Sequence, residues 1–233
     1  MTPQQKERYT RQISLNEVGD RGQQLLAQSS VLVVGVGGLG SPIATLLVTS
    51  GVGRVGIVDF DTVSLSNLPR QTLYTTDDIG LPKVECAARR LRCMNPEVEV
   101  VCYNQKFSEE SAAEIAKGYD VVVDGCDNMA TRYLIDQLSQ RVGIPYVYGA
   151  IRGFEGQVSV FNYMGAGGYS QLFPIENVTP ATPPPPVMST TPALIGAIQA
   201  NEVMKILIGY ADILSGRLLT LDSRNYTFNI FEI

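Results

Sequence analysis

The sequence of 233 residues contains no histidine and no tryptophan. Histidine is the usual general base near neutral pH and the commonest ligand of transition metals, so any chemistry must use carboxylates, lysine, arginine, hydroxyls or an oxygen-bound metal. No apolar run approaches the roughly 20 residues that span a bilayer. The polar start MTPQQKERYTRQ also lacks the apolar core of a signal peptide. We therefore expect a cytoplasmic protein with no membrane partner.

Cysteine is scarce and scattered, at Cys86, Cys93, Cys102 and Cys126. No two of these residues form a CxxC pair, and both zinc sites and redox dithiols need closely spaced ligands. We expect reduced, buried thiols. Positive charge is also scarce, since the net charge is −5, which argues against a broad nucleic-acid surface but still allows a local basic patch for a phosphate ligand.

The pattern of apolar segments predicts a doubly wound α/β fold. Val31–Val34 and Val55–Val58 are continuous apolar runs, typical of strands buried on both faces, and a helical segment separates them. Strand and helix patterns then alternate as far as residue 152, which indicates a mostly parallel, Rossmann-like sheet. We predict a single domain over 1–233, with an N-terminal helical arm (1–28), a nucleotide-binding core (29–152) and an extension (153–233).

The extension has a different texture. GQVSVFNY alternates like a half-exposed strand, and GRLLTLD and YTFNIFEI predict a closing antiparallel hairpin. Between them, TPATPPPPVMSTTP shows neither helical nor strand periodicity. Its composition favours a stiff surface connection, while its length is also typical of a functional crossover loop, here over 175–192.

A glycine motif follows the first strand. Gly35, Gly37 and Gly40 match G-x-G-x-x-G, and Asp59 lies nineteen residues beyond Gly40 at the end of the next strand. Such glycines let the backbone approach a phosphate at a helix N-terminus, and the carboxylate can accept hydrogen bonds from a ribose. The motif indicates an adenine nucleotide without choosing between NAD and ATP. Glycines that serve only tight packing are the structural alternative.

Charged residues beyond the second strand favour ATP. Asn67, Arg70 and Lys83 follow that strand, and Asp124 and Asp127 lie at the end of a later one. The carboxyl ends of parallel strands form the ligand crevice of such sheets. Guanidinium and ammonium groups suit a triphosphate, and an aspartate suits Mg²⁺. Nicotinamide enzymes that oxidise hydroxyl groups need a proton acceptor that this sequence does not single out.

Several segments together resemble the ThiF/HesA/MoeB adenylyltransferases, relatives of the ubiquitin-activating enzymes. They are RYTRQ, VGVGGLGSP, GVGRVGIVDFDTVSLSNLPRQ, GLPKVE, DGCDNMATR, GFEGQVSVF and IGAIQANEVMKILIG. The resemblance implies ATP- and Mg²⁺-dependent adenylation of the C-terminal Gly-Gly carboxylate of a small ubiquitin-like sulfur carrier, with release of pyrophosphate. It also implies a homodimer and, for this chain, a separate sulfur donor, in thiamin or related biosynthesis.

The same resemblance assigns roles to individual residues. Arg70, Lys83 and Asp127 are expected to be catalytic, with Asp127 holding Mg²⁺, and Arg11 is expected to reach the ATP of the neighbouring subunit. The complete set expected to bind the nucleotide is Gly35, Gly37, Gly38, Gly40, Asp59, Asp61, Asn67, Arg70, Lys83, Asp127 and Asn128.

The sequence departs from the family pattern at several places, among them Pro69, where a glutamine is usual. Gly168 and Gln171 stand where relatives carry a zinc-binding CxxC pair, so we expect no structural zinc. No cysteine lies near Thr182 or Pro183, where a crossover-loop cysteine is usual. We therefore expect no covalent enzyme–carrier intermediate at that loop. Three alternatives remain open at this point: activation of another carboxylate (a tRNA base or a peptide), a non-catalytic partner subunit, and an NAD oxidoreductase.

Overall fold

The computed structural model describes residues 1–175 and 186–233. Within these ranges one sheet contains β1 (Ser30–Val34), β2 (Arg54–Val58), β3 (Glu99–Tyr103), β4 (Val121–Asp124), β5 (Tyr146–Arg152), β6 (Glu155–Phe161), β7 (Arg217–Asp222) and β8 (Thr227–Glu232). The α-helices in the same ranges are α1 (Pro3–Arg8), α2 (Thr10–Ile13), α3 (Gly19–Gln28), α4 (Gly40–Thr49), α5 (Lys83–Met94), α6 (Glu109–Ile115), α7 (Met129–Val142), α8 (Tyr169–Leu172) and α9 (Thr190–Ile208), and two short 3-10 helices cover Leu65–Asn67 and Thr76–Asp78.

The sheet has the strand order β3-β2-β1-β4-β5-β6-β7-β8. Neighbouring strands are parallel from β3 to β5 and antiparallel from β5 to β8. This architecture confirms the predicted fold class, a doubly wound sheet extended by C-terminal antiparallel strands. Every residue of β1 is buried, as the continuous apolar run of a central parallel strand requires.

Helices cover both faces of the sheet. One hydrophobic cluster joins the sheet to α4, α5 and α9, and a second joins its other face to α6, α7 and α8. The second cluster is rich in aromatic rings, with Tyr146, Tyr148, Phe161 and Tyr169 in mutual contact. The sheet is therefore the middle layer of the fold, packed between helices on both faces. In the described part of the chain, no helix combines the length and the apolar character needed to cross a membrane.

Two segments differ from the sequence-based prediction. The N-terminal arm consists of three short helices, because the chain turns at Tyr9, which is buried, and again before Gly19, whose φ is +55°. The crossover loop was predicted to extend over 175–192, but this C-terminal boundary is wrong, because Thr190–Pro192 form the first turn of α9. Proline is tolerated in that turn because the N–H it lacks would have no intrahelical partner. Residues 176–185, including Thr182 and Pro183, lie outside the described residues.

Candidate active site

Three neighbouring parallel strands of the sheet end side by side. Their carboxyl ends are called the edge below. Val34 of β1 is in register with Val58 of β2 on one side and with Asp124 of β4 on the other. Because β2 and β4 flank β1 and their connections run to opposite sides, this edge is the point where the strand order reverses. Open α/β sheets bind ligands at such a point. The predicted glycine loop (residues 35–40) and Asp59 both lie at this edge.

The glycines of this loop differ in what a side chain at each position would contact. Gly35 has φ +92°, and a Cβ there would lie 2.7 Å from the carbonyl oxygen of Gly125. A Cβ at Gly40 would collide with the carbonyl oxygen of Gly35. At Gly37, by contrast, a Cβ would meet only the amide of Gln71 at 3.5 Å, an ordinary contact. Packing thus explains Gly35 and Gly40, whereas Gly37 leaves space that the protein itself does not use.

Gly38 brings three parts of the chain together. A Cβ at this position would lie 3.3 Å from Pro192 and 3.6 Å from the side chain of Arg70. Arg70 therefore lies against the glycine loop, as expected of a phosphate contact, and the N-terminal turn of α9 lies against the same part of the loop. Arg70 also donates to the carbonyl of Ser66 at 2.9 Å, a contact on the surface that leaves other N–H groups of its guanidinium available.

Asp59 is tied to the glycine loop by its carboxylate. One oxygen accepts from the backbone N–H of Val36 at 2.9 Å, and the other accepts from the N–H of Asp61, also at 2.9 Å. Burial raises the pKa of Asp59 above its usual range, while the positive charge of Lys83 opposes that rise. The carboxylate is therefore fixed in place beside the loop, where a ribose hydroxyl can reach its remaining lone pairs.

Lys83 is the most deeply placed cation of the site. Its side chain is only 7% exposed, and its ammonium group lies 2.8 Å from the carboxylate of Asp61, which is 53% exposed. The backbone N–H of Lys83 also donates to the carbonyl of Asp61 at 2.9 Å, so the first turn of α5 is locked to the segment after β2. Asp61 thus holds Lys83 in place, which is a different contribution from the direct nucleotide contact that the sequence predicted.

Two predicted ligands, Asn67 and Asn128, have structural partners. The Asn67 side-chain oxygen accepts from the N–H of Ser64 at 3.1 Å and closes the short helix Leu65–Asn67. The Asn128 side-chain oxygen accepts from the N–H of Thr131 at 2.9 Å and caps α7. In both residues the side-chain NH₂ has no partner among the described residues, so each can still donate to a phosphate.

The two aspartates after β4 are not equivalent. Asp124 is fully buried and forms an ion pair with Arg132 at 2.9 Å, so it is not available to a metal. Asp127 is exposed and forms no ion pair or hydrogen bond with another described residue. The sequence pointed to both aspartates, and the structure leaves only Asp127 free. The sequence analysis gave no role to Arg132 or to buried Gln71 beside Gly37. Both lie in segments that match the family, but a matching segment does not show which side chains are buried behind the site.

The chemistry of this edge fits Mg²⁺. Mg²⁺ in nucleotide sites is held by one or two carboxylates, several waters and the phosphates themselves. Asp127 supplies one free, exposed carboxylate just after the end of β4. Residues 1–175 and 186–233 contain no group of three or more Cys, Asp or Glu residues arranged to hold a metal alone. A site completed by the nucleotide is therefore the arrangement that fits.

Local packing explains why a glycine, and not a zinc-binding cysteine, occupies position 168. A Cβ at Gly168 would lie 2.7 Å from a carboxylate oxygen of Asp136. Asp136 is fully buried and accepts from the N–H groups of Tyr169 and Ser170, from the Ser170 hydroxyl and from the Asn162 amide. This carboxylate anchors α8 to α7. The absence of zinc itself stays a prediction.

Arg11 lies far from the glycine loop of its own chain. α2 packs near the C-terminal end of α4, where Gln12 donates to the carbonyl of Ser50 at 3.2 Å, whereas α4 begins at Gly40. The ten residues of α4 span about 15 Å at the usual helical rise. Arg11 is exposed and too far from the glycine loop of its own chain to contact phosphates bound there. This position is compatible with the predicted role of Arg11 in the neighbouring subunit.

The different roles of the glycines give a first prediction. Gly37→Ala should leave the protein folded, because the added methyl makes only an ordinary contact, yet it should weaken ATP binding by about 10-fold by occupying space at the phosphates. Gly40→Ala is the matched control and should destabilise the protein. Thermal unfolding and titration with ATP measure the two effects. A Gly37→Ala protein with unchanged ATP affinity would contradict this placement of the phosphates.

The chain is similar to known proteins over almost its whole length. The sequence model of the ThiF family matches residues 9–233. A sulfur carrier protein adenylyltransferase of Thermus thermophilus is 43% identical over 97% of this chain and 87% of its own length. A probable molybdopterin-synthase adenylyltransferase of Porphyra purpurea is 40% identical over 97% of this chain. The chain spans 60% of that second relative. Both names confirm the prediction of an adenylating enzyme.

A solved structure shares the whole architecture. The crystal structure of PaaA superimposes with a TM-score of 0.83 at 25% identity, covering 100% of this chain and 75% of its own. The combination of a parallel core with an antiparallel extension thus also occurs in PaaA. The sequence motifs, the strand-end site and the match over residues 9–233 lead to one conclusion: this chain belongs to the ThiF family.

Proposed function

We propose that this protein adenylates the C-terminal Gly-Gly carboxylate of a small ubiquitin-like sulfur carrier, using ATP and Mg²⁺ and releasing pyrophosphate. The observation that supports the proposal most is the placement of Arg70 against the glycine loop at Gly38. Lys83 pairs with Asp61 just after β2, and the free carboxylate of Asp127 follows β4, so both belong to strands that flank β1. The names of the two relatives, which specify a sulfur carrier and molybdopterin synthase, support this choice of substrate.

The residues suit a reaction that needs no general base. A carrier carboxylate is already ionised near neutral pH. One of its oxygens attacks the α-phosphorus of ATP, the bond between the α-phosphorus and the bridging oxygen breaks, and pyrophosphate leaves with that electron pair. Asp59 orients the ribose, while Arg70 and Lys83 neutralise charge on the phosphates. Mg²⁺ bound at Asp127 supplies further charge neutralisation. A chain without histidine loses nothing in this chemistry.

The remaining features of the proposal extend beyond one chain. The whole chain acts as a single adenylation domain in a homodimer, and Arg11 of each subunit serves the site of the other. The carrier adenylate passes to a separate sulfur donor, in thiamin or a related pathway. The proposal also includes a cytoplasmic location, where ATP is available.

Pyrophosphate exchange into ATP tests this function. With a carrier that ends in Gly-Gly, exchange should be readily measured, and with the same carrier lacking its last two glycines it should fall to background. Exchange with a peptide or a tRNA instead of the carrier would assign the enzyme to another carboxylate. Lack of exchange with every substrate, despite ATP binding, would indicate a non-catalytic partner subunit.

A further inference from the structure

The turn that carries Asp127 is held by a buried ion pair. This β4–α7 turn comprises residues 125–128. The Arg132 Nε donates to Asp124 Oδ2 at 2.9 Å, and the two side chains are 11% and 0% exposed. A buried ion pair contributes little net stability compared with apolar packing, so its presence calls for another explanation.

Two further contacts of this pair fix the backbone of Cys126 at its N–H and at its carbonyl. Asp124 Oδ1 accepts from the N–H of Cys126 at 2.9 Å, and Arg132 Nη2 donates to the carbonyl of the same residue at 3.2 Å. The same Nη2 lies 3.4 Å from the carbonyl of Gly149 in β5. The peptide immediately before Asp127 is thereby attached to both α7 and the sheet.

A second side chain holds the same strand end from the opposite face of the sheet. Gln199 of α9 is fully buried and donates to the carbonyl of Asp124 at 2.8 Å. Its amide occupies the space above Gly149, where a Cβ would collide with it. Since α9 also contacts Gly38 through Pro192, one helix touches both the glycine loop and the strand end that leads to Asp127.

Asp127 itself has no comparable attachment. Its carboxylate has no ion pair or hydrogen bond with any other residue in 1–175 or 186–233, so the direction of this side chain depends on the backbone around it. We propose that Arg132 and Gln199 are positioning residues that aim Asp127 at the metal–nucleotide complex. The inference rests on the proposed function and assigns these two residues no contact with the substrates.

Arg132→Lys tests the proposal without removing the buried charge. Lysine keeps a cation near Asp124 but cannot also reach the carbonyls of Cys126 and Gly149, because it has one nitrogen in place of the guanidinium fork. The readout is the affinity for a non-hydrolysable ATP analogue measured calorimetrically with Mn²⁺ and with EDTA. Metal ligands lose roughly 10- to 100-fold in affinity when their supporting contacts are removed. We expect Arg132→Lys to lower the gain in affinity given by Mn²⁺ by about 10-fold, with little change in EDTA.

A double-mutant cycle separates positioning from general loss of structure. Asp127→Ala should lower the Mn²⁺-dependent gain as well, and the Arg132→Lys/Asp127→Ala double variant should lose no more than Asp127→Ala alone. Gln199→Met keeps the buried volume but not the hydrogen bond, and should show a smaller loss of the same kind. Arg141→Lys, an exposed change on the same helix, is the control and should behave as the wild type. Circular dichroism checks that each variant is folded.

The outcomes are distinguishable. If Asp127→Ala loses the Mn²⁺-dependent gain while Arg132→Lys and Gln199→Met keep it, the positioning role is wrong and the metal site stands. If the double variant loses more than Asp127→Ala, Arg132 acts independently of Asp127 and the inference fails. If Asp127→Ala keeps the full gain, the metal assignment of the proposed function is wrong and the positioning role falls with it.

Discussion

Lys83→Met should reduce the rate of carrier adenylation by on the order of 10²-fold or more, the scale seen when a group that stabilises transition-state charge is removed. Methionine retains most of the buried stem of this side chain, which is 7% exposed, so packing changes little. Its partner Asp61 is 53% exposed and is solvated when the lysine is gone. The loss should therefore appear in catalysis and not in folding.

The same substitution should also change the pH dependence. Burial already raises the pKa of Asp59, and the positive charge of Lys83 acts against that rise. Removing Lys83 raises the pKa of Asp59 further, so this carboxyl takes up a proton at higher pH and stops accepting hydrogen bonds from a ribose. The defect of Lys83→Met should consequently deepen as the pH falls.

Pyrophosphate exchange across a pH series measures both effects. Lys117→Met makes the same change of charge at an exposed position between α6 and β4, near the start of β1, and serves as the control. A Lys83→Met enzyme with a rate within a few-fold of the control would show that this ammonium group does not contact the phosphates.

Hybrid dimers should show the second large effect. Arg11→Ala and Asp127→Ala should each reduce activity by about 10²-fold on their own. In a dimer with one subunit of each kind, one of the two composite sites contains both an intact Arg11 and an intact Asp127. Such hybrids should recover about half of the wild-type activity, because a twofold interface contributes the same residue to both sites.

Different affinity tags on the two variants allow hybrid dimers to be purified after co-expression. The control pairs Arg8→Ala, on the same arm but with its side chain directed at the carbonyl of Met94, with Asp127→Ala. Its hybrids should also recover about half of the activity, and Arg8→Ala alone should remain active. Inactive Arg11→Ala/Asp127→Ala hybrids would remove the composite site from the account.

Much of the fold was readable in the sequence because the parallel core is built from simple local patterns. The run Val31–Val34 is apolar because β1 is buried on both faces, and the glycines after it mark the turn into α4. The arm was harder to predict, since its breaks depend on the burial of Tyr9 against the rest of the protein. The start of α9 was missed because prolines hide a helical first turn.

The candidate site was predictable in its residue types but not in its division of labour. Spacing alone cannot distinguish Asp124 from Asp127, since both follow the same strand. Their difference lies in burial and in the ion pair with Arg132, which joins residues of different elements. The contact of Gln199 with Asp124 spans 75 positions of sequence, and no local pattern carries such information. Sequence motifs thus predict which groups face a ligand, whereas the buried contacts behind those groups are visible only in the structure.

A crystal structure with a non-hydrolysable ATP analogue and Mg²⁺ tests the central claim most directly. The claim predicts the phosphates against Gly37 and Gly38, within hydrogen-bonding distance of Arg70 and Lys83, with the metal bound to Asp127 and the ribose to Asp59. Phosphates bound away from Lys83 and Arg70, or a crevice that takes up a nicotinamide dinucleotide in preference to ATP, would contradict it.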